Sequence, residues 1–209
     1  MRPPGRAVLA RGRVHAVVCA AMRSTATSTA IPQLIQARLD QHAQELLALN
    51  TEYMSWVFAG IEQHFGALPA ALAERPVADY AAGMLDKVCG DLPPAGCFYL
   101  LAVTDGSGQA PRMAGMGGLR RLDERRAELK RVYLRPGFRG LGLGALLMRR
   151  LVDDARDFGY RQLCLDSAPF MQEAQALYAR QGFQDCAPHA GTEVPVALQA
   201  GWRFMQRPL

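Results

Sequence analysis

Between Glu128 and Leu151 the chain reads Glu-Leu-Lys-Arg-Val-Tyr-Leu-Arg-Pro-Gly-Phe-Arg-Gly-Leu-Gly-Leu-Gly-Ala-Leu-Leu-Met-Arg-Arg-Leu. This is the pattern of a short strand, a turn at Pro136-Gly137, a glycine-rich loop and an amphipathic helix. A strand that feeds a helix through glycines gathers unpaired backbone N–H groups and the positive end of a helix dipole at one spot. Such a spot suits phosphate, and the arrangement restricts the chain to folds that mix strands and helices.

The flanking sequence gives the remaining elements. Leu34–Leu39 reads as a first strand and Asp40 as the N-cap of a long helix to Phe65, with Leu46, Leu49, Tyr53, Val57, Ile61 and Phe65 on one stripe. Trp56 and Phe58 widen that face, as core packing or as the lining of a substrate mouth. A break with two prolines precedes a second helix, Val77–Cys89. Three strands follow as a meander, Cys97–Thr104, Arg112–Arg120 and Ala127–Leu134. Leu143, Leu147, Leu151, Ala155 and Phe158 form a helical stripe, with Arg149/Asp153 and Arg150/Asp154 as exposed pairs four apart. Arg161–Asp166 is a strand, Phe170–Gln181 a helix, Gly182–Cys186 a short strand, Pro188–Ala200 a loop and Trp202–Arg207 a closing strand. One α/β domain with a mixed sheet is expected over residues 31–209.

Charge narrows the function classes. The net charge of +5 belongs to residues 1–30, which hold five arginines and no acid, so the body carries 19 basic and 19 acidic residues. No basic stripe marks a nucleic-acid surface. Residues 1–30 are read as a disordered extension, as sequence ahead of a true start at Met22, or as a targeting segment. No apolar run approaches the roughly 20 residues that cross a bilayer. Five scattered cysteines without a CxxC pair, and His15, His42, His64 and His189 without metal spacing, indicate reduced thiols, surface or helix histidines and no metal. A cytoplasmic protein is the expectation, and a homodimer is left open.

The glycine loop has three candidate readings. A Walker A loop needs Gly-Lys-Ser/Thr, which is missing. A dinucleotide turn is met in form by Gly140, Gly142 and Ala145 with Asp166 downstream. However, the strand before it is charged, several strands precede it, and little chain follows. The third reading rests on two motifs. Arg139-Gly-Leu-Gly-Leu-Gly144 matches R/Q-x-x-G-x-G/A, and Ala176-Leu-Tyr-Ala-Arg-Gln-Gly-Phe183 matches A-L-Y-x-x-x-G-F. With these the chain resembles the GNAT superfamily of N-acetyltransferases over roughly residues 34–207.

That resemblance implies a single-domain GNAT-like fold, a mixed and mostly antiparallel sheet flanked by helices, with a bulged strand before the loop. It implies acetyl-CoA as co-substrate, its pyrophosphate on Arg139, Gly140, Leu141, Gly142, Leu143, Gly144 and Ala145. The pantetheine arm would lie on backbone amides of Val132, Tyr133 and Leu134. Alternation along 127–134 is imperfect, which a β-bulge would reconcile. The acceptor would be a small-molecule or peptide amine, held by residues 41–89 and 187–201. A catalytically inactive acetyl-CoA-binding module is the competing class.

Two side chains carry the chemistry in this reading. Tyr178 matches the tyrosine that assists departure of the CoA sulfur. A phenol near pKa 10 faces a thiolate near 8.5, an uphill transfer of about 2 kcal/mol, so hydrogen bonding is favoured over full protonation. Glu128 matches an acidic position used as a base in some members. Against an ammonium near pKa 10 its mismatch is about 8 kcal/mol, so base and substrate-orienting or structural acid both stay open. Asp166 is read as capping a turn or orienting substrate. Met171 stands where many members have an asparagine that contacts the pantetheine arm.

Overall fold

A computed structural model describes residues 31–209 of the chain. The readings made for residues 1–30, including Cys19 and His15, lie outside the described residues. Seven strands form one sheet: β1 (Ile31–Gln36), β2 (Cys97–Thr104), β3 (Arg112–Arg121), β4 (Arg126–Leu134), β5 (Gln162–Ser167), β6 (Gln184–Asp185) and β7 (Arg203–Pro208). Their order is β1-β2-β3-β4-β5-β7-β6, antiparallel at every step except β4–β5. The helices are α1 (Leu39–Phe65), α2 (Ala70–Ala73), α3 (Val77–Cys89), α4 (Leu143–Asp157), α5 (Gln172–Arg180) and α6 (Val196–Gln199). The expected mixed, mostly antiparallel α/β fold with a bulged strand is thereby found.

Period-two alternation decides what each face of the sheet meets. In β2, Cys97 and Tyr99 join the cluster of Leu147, Met148, Leu151 and Ala155 from α4. Phe98 and Leu100 point the other way, into Leu46 and Leu49 of α1 and Val88 of α3. Leu46 and Leu147 have no solvent exposure, and burying each such side chain contributes about 2 kcal/mol. A third cluster joins Met54, Val57 and Ile61 of α1 to Leu198 and Phe204 near the C-terminus. The sheet is therefore covered on both faces, with α1 and α3 opposite α4.

Several local expectations change. Asp40 does not cap α1: its carboxylate pairs with Arg38 at 2.9 Å, and the helix begins at Leu39 with a break at His42. β1 lies three residues earlier than expected because its register is set by β2, Ile31 facing Thr104. Asp154 is buried, not exposed, and its carboxylate sits 3.0 Å from Arg150 and 3.6 Å from the Cys97 thiol. Asp153 pairs with Arg156 at 3.3 Å, not with Arg149. The loop 188–200 contains α6, and the proline-rich break contains α2. Cys89, Cys97 and Cys164 are buried free thiols and Cys186 is a half-buried one.

Candidate active site

β4 is regular for only part of its length. Met116 of β3 faces Tyr133 and Gly118 faces Lys130, so Arg131 and Val132 together stand against Gly117. Arg131 has φ +55°, the one positive φ on a non-glycine residue among those described. This is the expected β-bulge, one extra residue that redirects the strand. Gly117 matters here, because an added Cβ would sit 3.3 Å from the Val132 Cα. The bulge also resolves the uneven alternation. Leu129 and Val132 pack on the α4 side, while Tyr133 packs on the α1 side.

The second irregularity is a parting of strands. β4 and β5 pair only over Arg126–Gln162, Ala127–Leu163 and Glu128–Cys164. Beyond Glu128, β5 continues against β7 alone, through Ser167 and Arg203. A cleft thus opens in mid-sheet at the level of the bulge, leaving backbone N–H and C=O groups of both strands without ladder partners.

The glycine loop stands at the head of that cleft. Gly140 and Gly142 have φ of +75° and +77°, and a Cβ at either would meet nothing within 4 Å. Their glycine identity answers to backbone conformation and to an open cradle, not to crowding. Gly142 is the N-cap of α4, whose first turn holds no acid, so the N–H groups of Leu143, Gly144 and Ala145 are the ones a helix leaves unbonded. Gly144 is different: its Cβ would lie 3.2 Å from Leu177, so it lets α4 approach α5. Leu143 is buried and Leu141 exposed. Arg139 turns back, donating to the Leu134 carbonyl at 3.1 Å and standing 5.7 Å from the Trp56 ring centroid. These features fit a diphosphate: a concave run of donors, a cation at its rim, and no side chain in the way.

Tyr178 lies on α5, buried, with its ring against Phe183. Burial pushes its phenol pKa well above the ordinary value, with smaller contributions from Tyr53 and Asp166. Among the described residues none hydrogen-bonds its hydroxyl. Met171, at the position noted above, is buried in the cluster with Met54 and Phe204.

Glu128 occupies the most enclosed point. It has no solvent exposure, and its Oε2 accepts from Arg120 Nη2 at 2.6 Å, with Lys130 Nζ at 3.7 Å. Its Oε1 faces His189 Nε2 at 3.4 Å, and neither atom has a hydrogen-bond partner. Glu193 ties the group to the last loop, through Lys130 at 2.9 Å, Arg120 at 3.1 Å and Lys87 at 2.8 Å. Burial raises the Glu128 pKa; Lys130, Arg120 and His189 oppose that rise while Asp166 adds to it. Burial also pushes Glu193 up, but Lys130, Lys87 and Arg120 outweigh it and hold that carboxyl at about 2.

A cavity of about 80 Å³ adjoins this group, lined by Tyr53, Met54, Val57 and Tyr80 with Lys130, Arg131, Asp166, Glu193 and Trp202. Glu193 and Asp166, not Glu128, are the carboxylates at its wall, and of the two Asp166 is in none of the described ion pairs. Its Oδ1 accepts from Trp202 Nε1 at 3.0 Å, so it does not cap the following turn. The aromatics of α1 divide: Phe58 is buried against Tyr80 and lines the cavity, whereas Trp56 is 37% exposed among Tyr53, Tyr133 and Phe170, outside that lining. His189 is a buried member of the site, against the expectation of a surface or helix residue. The sequence offered no local signal for it, since its partner lies 61 residues away. Ligand atoms of Glu128, Asp166 and His189 lie within 4.8 Å of one another. The cations already seated on Glu128 make that cluster a poor host for a metal ion.

Residues 62–183, more than half of the chain, match the acetyltransferase (GNAT) family. An uncharacterized N-acetyltransferase from Mycobacterium tuberculosis is 38% identical over 73 residues, 35% of this chain and 47% of its own length. An IAA acetyltransferase from Azospirillum brasilense is 37% identical over 82 residues, 39% of this chain and 51% of its own. The chain therefore spans about half the length of the curated relatives it matches. In structure, the PaiA N-acetyltransferase from Thermoplasma acidophilum, in complex with coenzyme A, superposes with a TM-score of 0.59 at 15% identity, over 86% of this chain and 99% of that one. A spermidine N-acetyltransferase from Vibrio cholerae gives a TM-score of 0.55 at 16% identity, over 85% and 95%. These likenesses confirm the fold. Among the described residues no helix is long and apolar enough to cross a membrane.

Proposed function

The chain belongs to the acetyltransferase (GNAT) family, and on that premise we propose that it is an N-acetyltransferase that moves the acetyl group of acetyl-CoA to a small-molecule or peptide amine. The observation that carries this reading is the coincidence of three features: the Arg131–Val132 bulge, the parting of β4 from β5 beyond Glu128, and the left-handed glycines that open α4. Acetyl-CoA, when bound, supplies the acetyl group as an activated thioester.

The residues divide the work by their chemistry. Arg139 and the amides of Gly140–Ala145 hold the diphosphate, and amides of Val132, Tyr133 and Leu134 hold the pantetheine arm and polarise the acetyl carbonyl. Asp166 at the cavity wall orients the acceptor ammonium. Glu128 with His189, directly behind, takes the proton the amine must lose. Burial helps here, since a raised Glu128 pKa narrows the roughly 8 kcal/mol mismatch with an ammonium. As the new C–N bond forms and the C–S bond breaks, the electron pair leaves on sulfur. Tyr178 donates a hydrogen bond to it. The upward shift of that phenol makes full proton transfer less favourable still, which supports hydrogen bonding as its role.

Thermal shift with acetyl-CoA, followed by release of free thiol across an amine panel, tests the proposal. Stabilisation and amine-dependent thiol release are expected. No stabilisation would remove the acetyl-CoA reading altogether, and stabilisation without turnover would favour the inactive binding module.

A further inference from the structure

One buried cation in the site lacks a counter-charge. Arg131 is only 8% exposed, its Nη1 has no hydrogen-bond partner, and none of the described ion pairs includes it. The other buried cations are matched, Arg120 and Lys130 both by Glu128 and Glu193. The Arg131 guanidinium stands 5.3 Å from the Tyr53 ring centroid. A cation–π contact offsets only part of the desolvation of a buried guanidinium. Its backbone is also held at φ +55°, an uncommon conformation for a bulky residue. Two unfavourable features thus converge on one side chain, and that side chain lines the acceptor cavity. Strain and an unpaired charge at a cavity wall point to a ligand that completes the site.

The same cavity presents Asp166, whose Oδ1 is occupied by Trp202 while Oδ2 has no described partner. Glu193 also lines it but is engaged by Lys130, Arg120 and Lys87, and Met54, Val57, Ile61, Leu72 and Val194 make much of the remaining wall apolar. A polyamine would bring a second ammonium beside Lys130 and Arg131, a like-charge arrangement. A zwitterion with ammonium and carboxylate on one carbon complements both charges at once. Resting on the acetyltransferase reading above, we infer that the acceptor is an amino acid with an apolar side chain. Its carboxylate is held by Arg131 and its ammonium by Asp166.

Matched pairs of an amino acid and its decarboxylated amine test this: leucine against isoamylamine, and phenylalanine against phenethylamine. Thiol release by the wild-type protein is expected to favour the carboxylated member by at least about 10-fold in kcat/KM. Arg131→Gln should collapse that preference towards one, mainly by raising KM for the amino acid, and Arg131→Lys should restore part of it. A readout independent of turnover is the melting temperature of CoA-saturated protein, which leucine should raise for the wild type and not for Arg131→Gln. The inference is overturned if the decarboxylated amines are equal or better substrates, if Arg131→Gln leaves the preference unchanged, or if no carboxylated amine is bound or acetylated while acetyl-CoA still stabilises the protein. Loss of acetyl-CoA stabilisation itself would instead bring down the acetyltransferase reading.

Discussion

Arg120 Nη2 lies 2.6 Å from Glu128 Oε2, a carboxylate with no exposure to solvent. Removing one member of a buried pair leaves the other charge uncompensated, which costs about 3–5 kcal/mol. Arg120→Met is therefore expected to lose stability on that order in urea unfolding. Glu128→Gln keeps the volume but leaves Arg120 and Lys130 with less negative charge. It is expected to slow acetyl transfer and to shift the alkaline-favouring limb of the pH–rate profile. A Glu128→Gln profile superimposable on the wild type would remove Glu128 from the proton path.

Glu193 gives the clearest pH dependence of stability. Its folded pKa of about 2 lies below the ordinary 4.5, so its contribution is fully present above pH 4.5 and is lost as pH falls towards 2. Its partial exposure lowers the value of the network, and Glu193→Gln should cost about 2 kcal/mol at pH 7. The deficit relative to wild type should shrink between pH 4.5 and 2, as followed by circular dichroism. A deficit that stayed constant across that window would show that the charge of Glu193 is not what matters.

Tyr178→Phe removes a hydroxyl with no described partner and leaves a buried ring in place. Folding and acetyl-CoA affinity should change little, while turnover should fall by about 10²-fold, the scale of one lost transition-state hydrogen bond. Turnover at the wild-type rate would show that Tyr178 is a packing residue.

Gly142→Asp sets a Cβ at φ +77° and a negative charge beside the phosphate cradle. Isothermal titration should show acetyl-CoA affinity reduced by at least about 100-fold, about 2.7 kcal/mol. Gly142→Ala separates the two effects, because it brings the backbone strain of about 1 kcal/mol without the charge.

What could be read in the sequence was local. Gly140 and Gly142 announce their left-handed conformation, the stripe Leu143–Leu147–Leu151 announces α4, and Leu177-Tyr178 with Gly182-Phe183 announces α5 and its turn. The uneven alternation from Leu129 to Leu134 even betrayed the bulge. The partners of Glu128 were not legible, because Arg120, His189 and Glu193 come from another strand and a distant loop that share no periodicity with it. Asp40 looked like a cap, but Arg38 two residues away competes for its carboxylate. Asp166 could be read only as a turn cap or a substrate-orienting acid, because the parting of β4 and β5, not its neighbours in sequence, exposes it to the cavity.

The central claim is that the bulge and the glycine loop form one acetyl-CoA site. Amide chemical-shift mapping of the labelled protein with acetyl-CoA tests it most directly. The N–H resonances of Arg131–Leu134 and of Gly140–Ala145 should shift together, saturating at one ligand concentration, while those of Asp123–Arg126 at the far end of the sheet stay in place. Shifts confined to one of the two segments, or centred elsewhere on the sheet, would contradict it.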